Sequence, residues 1–369
     1  MKICIDCRVL NSKRTGGTGT YTRNLVNCLS DIDDANSYSL LVNRRLEIKK
    51  CSYMVTRVNY ETHGVSEVWE NTGLPFMLKK NKIALFHSPS VMLPAVRMKC
   101  RKIITVHDMV AFKFRQYFGK KYGFYVRTMT SMAVKSADRI IAVSQSTKND
   151  IAEILSVKPE KIKVIHEGVN RAFRVLNKNS AEKTMKKNKI KKPFMLNVGT
   201  IEPRKNIPRL IEAYGIFRRE QGGDWMLVIA GNKGWLYESA FRACEASFYR
   251  EDIKIIENLS DDEITGLYNA CEFFVYPSLY EGFGLPVIEA MACGAPVITS
   301  SSSSLAEIAG GAAVLINPED PQELADAMLR VAGNRSLREG LACASVEKAK
   351  KYDWRNTALK TIETYGEAL

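Results

Sequence analysis

FFVYPSLYEGFGLPVIEAMACGAPVITS, residues 273–300, opens on an apolar run, Phe273 to Tyr276, of the kind that forms a strand buried on both faces of a parallel sheet. Gly282 and Gly284 interrupt the pattern where backbone can come close to a ligand, and Pro286 suits the first turn of a helix with its body over 287–293 and its stop at Gly294. That helix is too apolar to lie on a surface, yet it carries Glu289 among Val287, Ile288, Ala290, Met291 and Ala292. A lone carboxylate in such surroundings needs a partner. Glu281 stands eight positions earlier, at the strand's carboxyl end, where open parallel sheets bind ligands and a loop with a helix N-terminus receives anions. Two carboxylates therefore flank one phosphate-compatible crevice. The plainer alternative has Glu281 capping the helix and Glu289 paired with a buried Lys or Arg.

On either side of this stretch the chain alternates strand-like and helix-like patterns, as doubly wound parallel sheets do. Strands are expected at 2–6, 37–42, 83–86, 102–107, 139–143 and 161–165, then at 194–199, 226–230, 253–256, 273–276, 297–299 and 313–316. At 369 residues the chain exceeds what one core usually serves. The expected division is a first domain over 1–176, a Lys-rich exposed linker over 177–192, a second domain over 193–351, and a terminal segment over 352–369 with Trp354 and Tyr365.

Each expected domain opens with a strand followed by a loop that could meet a phosphate. After the first strand comes Thr15-Gly-Gly-Thr-Gly-Thr20 and a helix from about 21 to 29. A dinucleotide fingerprint would need a third glycine where Thr22 stands, so NAD is not expected. The strand at 194–199 leads into Gly199-Thr-Ile-Glu-Pro-Arg-Lys-Asn206. Asn206 reads as an N-cap, which sets Arg204 and Lys205 beside a helix N-terminus, where two cations oppose the dipole unless an anion joins them. His107, followed by Asp108, and His87 stand where strands of the first domain should end. Asp31-Ile-Asp33 has a metal-binding spacing but falls at a helix end far from either loop, and no metal site is expected.

The 273–300 stretch resembles the retaining glycosyltransferases of family 4 (glycosyl transferases group 1), whose signature E-x7-E is here Glu281-GFGLPVI-Glu289, flanked by Pro277-Ser278 and by Ala290-Met291-Ala292. The resemblance implies a GT-B fold, two Rossmann-like doubly wound parallel-sheet domains facing across a cleft. It implies a nucleotide diphosphate sugar as donor, with no other cofactor. Glu289 would then hold the ribose hydroxyls and Glu281 a hydroxyl of the sugar. Gly282, Phe283, Gly284 and Leu285 would lend backbone contacts. Arg204 and Lys205 would clamp the diphosphate, with Thr200 in the place where many members carry an Arg. Gly16 and Gly17 would lie against the donor phosphate or the acceptor, and His107 would reach the transferred sugar by backbone or ring. The terminal segment would cross back to the first domain.

The His-Asp pair and the Glu-Pro-Arg-Lys-Asn form resemble mannosyltransferases, so GDP-mannose is the favoured donor and a UDP-sugar the alternative. The acceptor would be a glycan or lipid-linked glycan of a cell-surface polysaccharide. A UDP-hexose-dependent glucosyl- or N-acetylhexosaminyltransferase, a nucleotide-sugar epimerase and a non-catalytic binding module are the rival readings, in that order.

The net charge of +14 is uneven. Up to Lys192 there are 37 basic and 15 acidic residues, a net of +22, and beyond it 17 and 25, a net of −8. The basic half is expected to meet something anionic, either nucleic acid, a membrane surface or a phosphorylated acceptor, with solvated Lys-rich loops as the plainer alternative. Within it, FKFRQYFGKKYGFYVRTMTSMAVK (112–135) interleaves seven aromatic with six basic residues, a composition suited to anionic headgroups, although an amphipathic core helix would read alike. No nucleic-acid motif accompanies it. The chain enters its first strand without a secretory leader, has no apolar run of about 18 residues, and scatters its nine Cys through apolar runs. Reduced thiols and a cytoplasmic, peripherally membrane-associated protein are the expectation.

Overall fold

The computed structural model describes residues 1–12, 16–58 and 65–368. The chain divides into two compact units, Met1–Gly168 with Asp353–Leu369, and Val169–Tyr352.

The first unit is built on a seven-stranded sheet of β1 (Lys2–Asp6), β2 (Ser37–Val42), β3 (Cys51–Val55), β4 (Leu85–Ser88), β5 (Arg101–Val106), β6 (Arg139–Ala142) and β7 (Ile162–Val164). Its spatial order is β3-β2-β1-β4-β5-β6-β7, with every pairing parallel. The second unit contains β8 (Phe194–Val198), β9 (Met226–Ala230), β10 (Ile253–Ile256), β11 (Phe273–Tyr276), β12 (Val297–Ser300) and β13 (Ala313–Ile316), ordered β10-β9-β8-β11-β12-β13 and again all parallel. In both sheets the chain winds outward from its first strand, then returns to that strand's other side. The switch points, where open parallel sheets bind ligands, fall between β1 and β4 and between β8 and β11.

Apolar runs in these strands are buried on both faces. Phe194, Leu196 and Val198 of β8 belong to one core while Met195 belongs to another, which is the alternation a strand covered on both sides must show. β3 has no counterpart in the sequence expectation. It is an edge strand in which only Met54 is buried, so it lacks the apolar run that marks the others.

Two expectations are corrected. The segment 177–192 is not a free linker. It forms the helix Lys178–Lys187, capped by the Asn177 side chain, buries Ala181 and Ile190 in the second unit, and pairs Lys187 with Glu263 at 2.6 Å. The unit boundaries lie at 168/169 and 352/353. The charge imbalance changes with them: the first unit has 30 basic and 17 acidic residues, a net of +13, and the second 24 and 23, a net of +1.

The last helix, Trp354–Glu367, places Trp354, Ala358 and Tyr365 in a core of the first unit. Cys4 and Cys7 have a C-x-x-C spacing but pack into different cores, and all nine cysteines are free thiols. Among the described residues no helix is long and apolar enough to cross a membrane.

Candidate active site

At the switch point of the second unit, the carboxyl ends of β8 and β11 bring together residues about seventy positions apart. Gly199 follows β8 with a φ of +150° that suits glycine, and the chain reaches a single 3-10 turn, Pro203–Lys205. Asn206 stands at the N-cap position of the helix Ile207–Gln221, as predicted, but does not cap it in the ordinary way. It takes a left-handed conformation and makes no side-chain cap bond, its amide donating instead to the carbonyls of Pro277 (3.2 Å) and Pro318 (2.7 Å). This places the Arg204 and Lys205 side chains toward the end of β11.

There they meet Glu281. Its Oε1 accepts from Lys205 Nζ (2.6 Å), the Ser278 hydroxyl (2.7 Å) and the Tyr276 hydroxyl (2.9 Å), and its Oε2 accepts from Arg204. Lys205 also donates to the Tyr276 hydroxyl, and Arg204 Nε pairs with Glu202 at 2.5 Å. The two cations therefore have protein anions beside them, a correction to the expectation that they await a bound one. Glu281 does not cap the following helix, Leu285–Ala292, whose N-cap is Gly284. Burial alone would raise the Glu281 carboxyl, but Arg204 and Lys205 outweigh it and bring its pKa down to about 2. Burial, reinforced by Arg204, lowers Lys205 from its ordinary value.

The loop that carries Glu281 is held from beneath. Ser303 Oγ accepts from the Glu281 amide (3.0 Å), and Ser304 Oγ donates to the carbonyls of Glu281 (2.9 Å) and Phe283 (2.7 Å). Gly282 and Phe283 are buried and Leu285 half-buried. Gly284 has φ +114°, a backbone conformation that requires glycine, and a Cβ there would also force the tip of the Leu305 side chain, 2.7 Å away, to shift. Glu289 lies half-buried on the helix and accepts a long bond from the Tyr268 hydroxyl (3.4 Å). Thr200 is exposed, outside the cluster around Glu281.

In the first unit, His107 follows β5. Its Nδ1 lies 3.0 Å from Glu167 Oε1 and its Nε2 3.0 Å from the Pro89 carbonyl oxygen. Burial lowers its pKa, but the Glu167 carboxylate overrides this and the net shift is upward. Asp108 accepts from the Val110 amide (3.0 Å) in a local turn. His87 is fully buried, bonded through Nδ1 to the Tyr365 hydroxyl (2.7 Å) and through Nε2 to Thr105 (3.0 Å), and burial takes its pKa down to about 3. It is a neutral core histidine.

The predicted glycine loop takes another form. Gly16 and Gly17 are exposed in the first turn of a helix, Gly16–Ile32, that begins earlier than expected, and Thr15 lies outside the described residues. Asp33 accepts from the Tyr38 hydroxyl (2.5 Å) and from Asn36, closing the end of this helix. No group of His, Cys, Asp or Glu among the described residues could hold a metal ion.

Sequence reasoning did not select Tyr276, Ser278, Glu202 or Glu167. A tyrosine ending an apolar strand and a carboxylate three residues before Lys205 were the available signals; Glu167, in His-Glu-Gly after β7, offered only its place at a strand end.

Residues 180–347 match the family model described as glycosyl transferases group 1, and residues 15–173 match glycosyltransferase family 4. The O-antigen chain mannosyltransferase B of Escherichia coli is 29% identical over 289 residues, 78% of this chain and 75% of that protein. The serotype-specific mannosyltransferase WbdA of Escherichia coli is 31% identical over 290 residues, 77% of this chain but only 36% of that longer protein. Among solved structures, Anabaena HepE in complex with UDP and glucose superposes with a TM-score of 0.78 at 17% identity, covering 100% of both chains, a likeness of fold. The two models account for both units, and the fold is the two-sheet GT-B arrangement: this chain belongs to the family 4, group 1 glycosyltransferases.

Proposed function

We propose that this glycosyltransferase moves mannose, with retention of configuration, from GDP-mannose to a hydroxyl of a glycan or lipid-linked glycan in cell-surface polysaccharide synthesis. The observation that carries the reading is the cluster of Arg204, Lys205 and Glu281 at the second unit's switch point, two buried or half-buried cations on one carboxylate where parallel sheets take ligands. The mannosyl donor is favoured by the relatives, which are named as mannosyltransferases.

In this reading the diphosphate lies beside Arg204 and Lys205. As the bond between the sugar C1 and the phosphate oxygen breaks, negative charge grows on the leaving diphosphate, and the two cations stabilise it in a site with little water. Lys205 cannot swing freely, since Glu281 and Tyr276 fix its ammonium. Glu281, ionised and held by four donors, is a rigid acceptor for a sugar hydroxyl, and Glu289 receives the ribose hydroxyls. The new bond forms from C1 to the acceptor oxygen on the face the diphosphate leaves, and the acceptor proton passes to a diphosphate oxygen. No protein nucleophile is required. The positive charge this chemistry needs resides in side chains, so activity is expected to persist in EDTA.

The acceptor and any peripheral membrane contact are assigned to the first unit, whose net charge is +13. Its helix Lys120–Ser136 exposes Tyr122 and Phe124 next to Lys120 and Lys121, a combination suited to a lipid-linked acceptor at an anionic surface.

A thermal-shift series with GDP, UDP, ADP and their sugars, in EDTA, tests the reading. A ligand at about a hundred times its dissociation constant stabilises by roughly 2.7 kcal/mol. A shift confined to GDP and GDP-mannose is expected; a shift confined to UDP compounds would overturn the donor, and none with any nucleotide would overturn the transfer.

A further inference from the structure

Both ring nitrogens of His107 face atoms that can only accept. A carbonyl oxygen, such as that of Pro89 at 3.0 Å from Nε2, needs a proton on the nitrogen, and so does an ionised carboxylate, such as Glu167 at 3.0 Å from Nδ1. A neutral imidazole satisfies one of these and leaves the other opposed. The arrangement is enclosed, with the Glu167 side chain 4% exposed and that of His107 20%. Tyr21 packs edge-on against the ring with centroids 4.8 Å apart.

Three further titratable groups among the described residues lie beside the ring: Asp108, His87 and Tyr21. Asp108, next in the chain, adds negative charge that favours a protonated ring. His87 of β4 is neutral, its nitrogens taken by Thr105 and Tyr365. Burial keeps the Tyr21 phenol protonated, and its hydroxyl is bonded to Thr105 (3.1 Å). His107 lines a cavity of about 210 Å³ in the first unit, whose walls also include Thr18, Ser90, Asp108, Phe118 and Tyr122.

We infer that Glu167 is a positioning residue which, with the Pro89 carbonyl, holds His107 in its doubly protonated form, so that the ring offers this cavity a fixed positive charge and no proton-accepting nitrogen. The catalytic meaning rests on the transfer reading above: His107 would support negative charge or orient an oxygen, and is excluded as the base that receives the acceptor's proton.

The test is 15N NMR of the imidazoles in the full chain, with His107→Gln assigning its signals among the four histidines. Two protonated ring nitrogens near neutral pH are expected. In Glu167→Gln the midpoint falls, and kcat gains a descending limb above it of about tenfold per pH unit, the slope of one proton, while Glu167→Asp restores both towards wild type. One unprotonated ring nitrogen in the wild type near neutral pH, or an unchanged midpoint in Glu167→Gln, would overturn the inference. The wild-type spectrum decides alone where a variant does not fold. A doubly protonated His107 in a chain that transfers no sugar would sink the transfer reading and leave this one standing.

Discussion

Lys205 Nζ and Glu281 Oε1 form a 2.6 Å ion pair with 7% and 8% of their side chains exposed. Such a pair adds little net stability when intact, because desolvating two ions offsets their attraction, but removing one partner strands the other. Glu281→Gln and Lys205→Met are each expected to cost about 3–5 kcal/mol, read as a lower urea midpoint, and to abolish sugar transfer. If either variant keeps wild-type stability, the pair is not buried as described.

The same carboxylate sets an acid limit. Its pKa is brought down from 4.5 to about 2, so the folded state holds its proton less tightly than the unfolded chain. The stability this contributes is complete above the unfolded value and lost as pH falls towards 2, on the order of 3 kcal/mol in all. Unfolding free energy measured from pH 6 downward should decline through that window more steeply in wild type than in Glu281→Gln. Parallel curves would show that other groups govern acid unfolding.

Glu289 separates binding from folding. It is half-buried and accepts a long bond from Tyr268. Glu289→Gln keeps size and hydrogen-bonding capacity, so a stability change within about 1 kcal/mol is expected together with a clear loss of nucleotide affinity by calorimetry. Unchanged affinity would remove Glu289 from the ribose.

The Tyr365 hydroxyl and His87 Nδ1 are joined at 2.7 Å although 278 positions separate them. Tyr365→Phe leaves a buried ring nitrogen without this partner and should cost about 1–3 kcal/mol. Because Tyr365 packs in a core of the first unit and His87 is buried and neutral, sugar transfer by the folded fraction should be unaltered. A full loss of activity at preserved stability would mean that His87 acts in the reaction.

How much of this was legible depends on where the physical signal lies. Strands such as Phe273–Tyr276 and Met226–Ala230 are readable because burial on both faces demands an uninterrupted apolar run. Edge strand β3 and the helix Lys178–Lys187 are not: each buries few residues, and lysine stems can line a helix whose charges reach water. At the site, Glu281, Arg204 and Lys205 stand out because charges flank apolar runs. Their mutual pairing does not, since it depends on the left-handed turn at Asn206, which sequence reasoning took for an ordinary cap. Tyr276 and Glu167 were hidden for a related reason. A tyrosine at a strand's end, or a single glutamate after one, acquires meaning only from what the fold sets opposite it.

The helix Lys120–Ser136 bears the last prediction. Its Gly123, Thr130, Ala133 and Val134 are buried, while Tyr122, Phe124 and Met132 are 53%, 66% and 42% exposed. Part of the aromatic content is therefore not core, and two of these rings lie within four positions of Lys120 and Lys121. Basic residues near an anionic bilayer each add about 1 kcal/mol of attraction, and exposed aromatic rings suit the interfacial zone. Replacing Lys120, Lys121 and Arg127 with Gln should weaken sedimentation with phosphatidylglycerol vesicles and reduce the salt sensitivity of what remains. Arg127 also bonds the Ala111 carbonyl, so Lys120→Gln with Lys121→Gln is the cleaner variant. Binding that is unchanged in that double variant would place the membrane contact elsewhere or deny it altogether, and the exposed rings would then be free to stack on a soluble glycan acceptor.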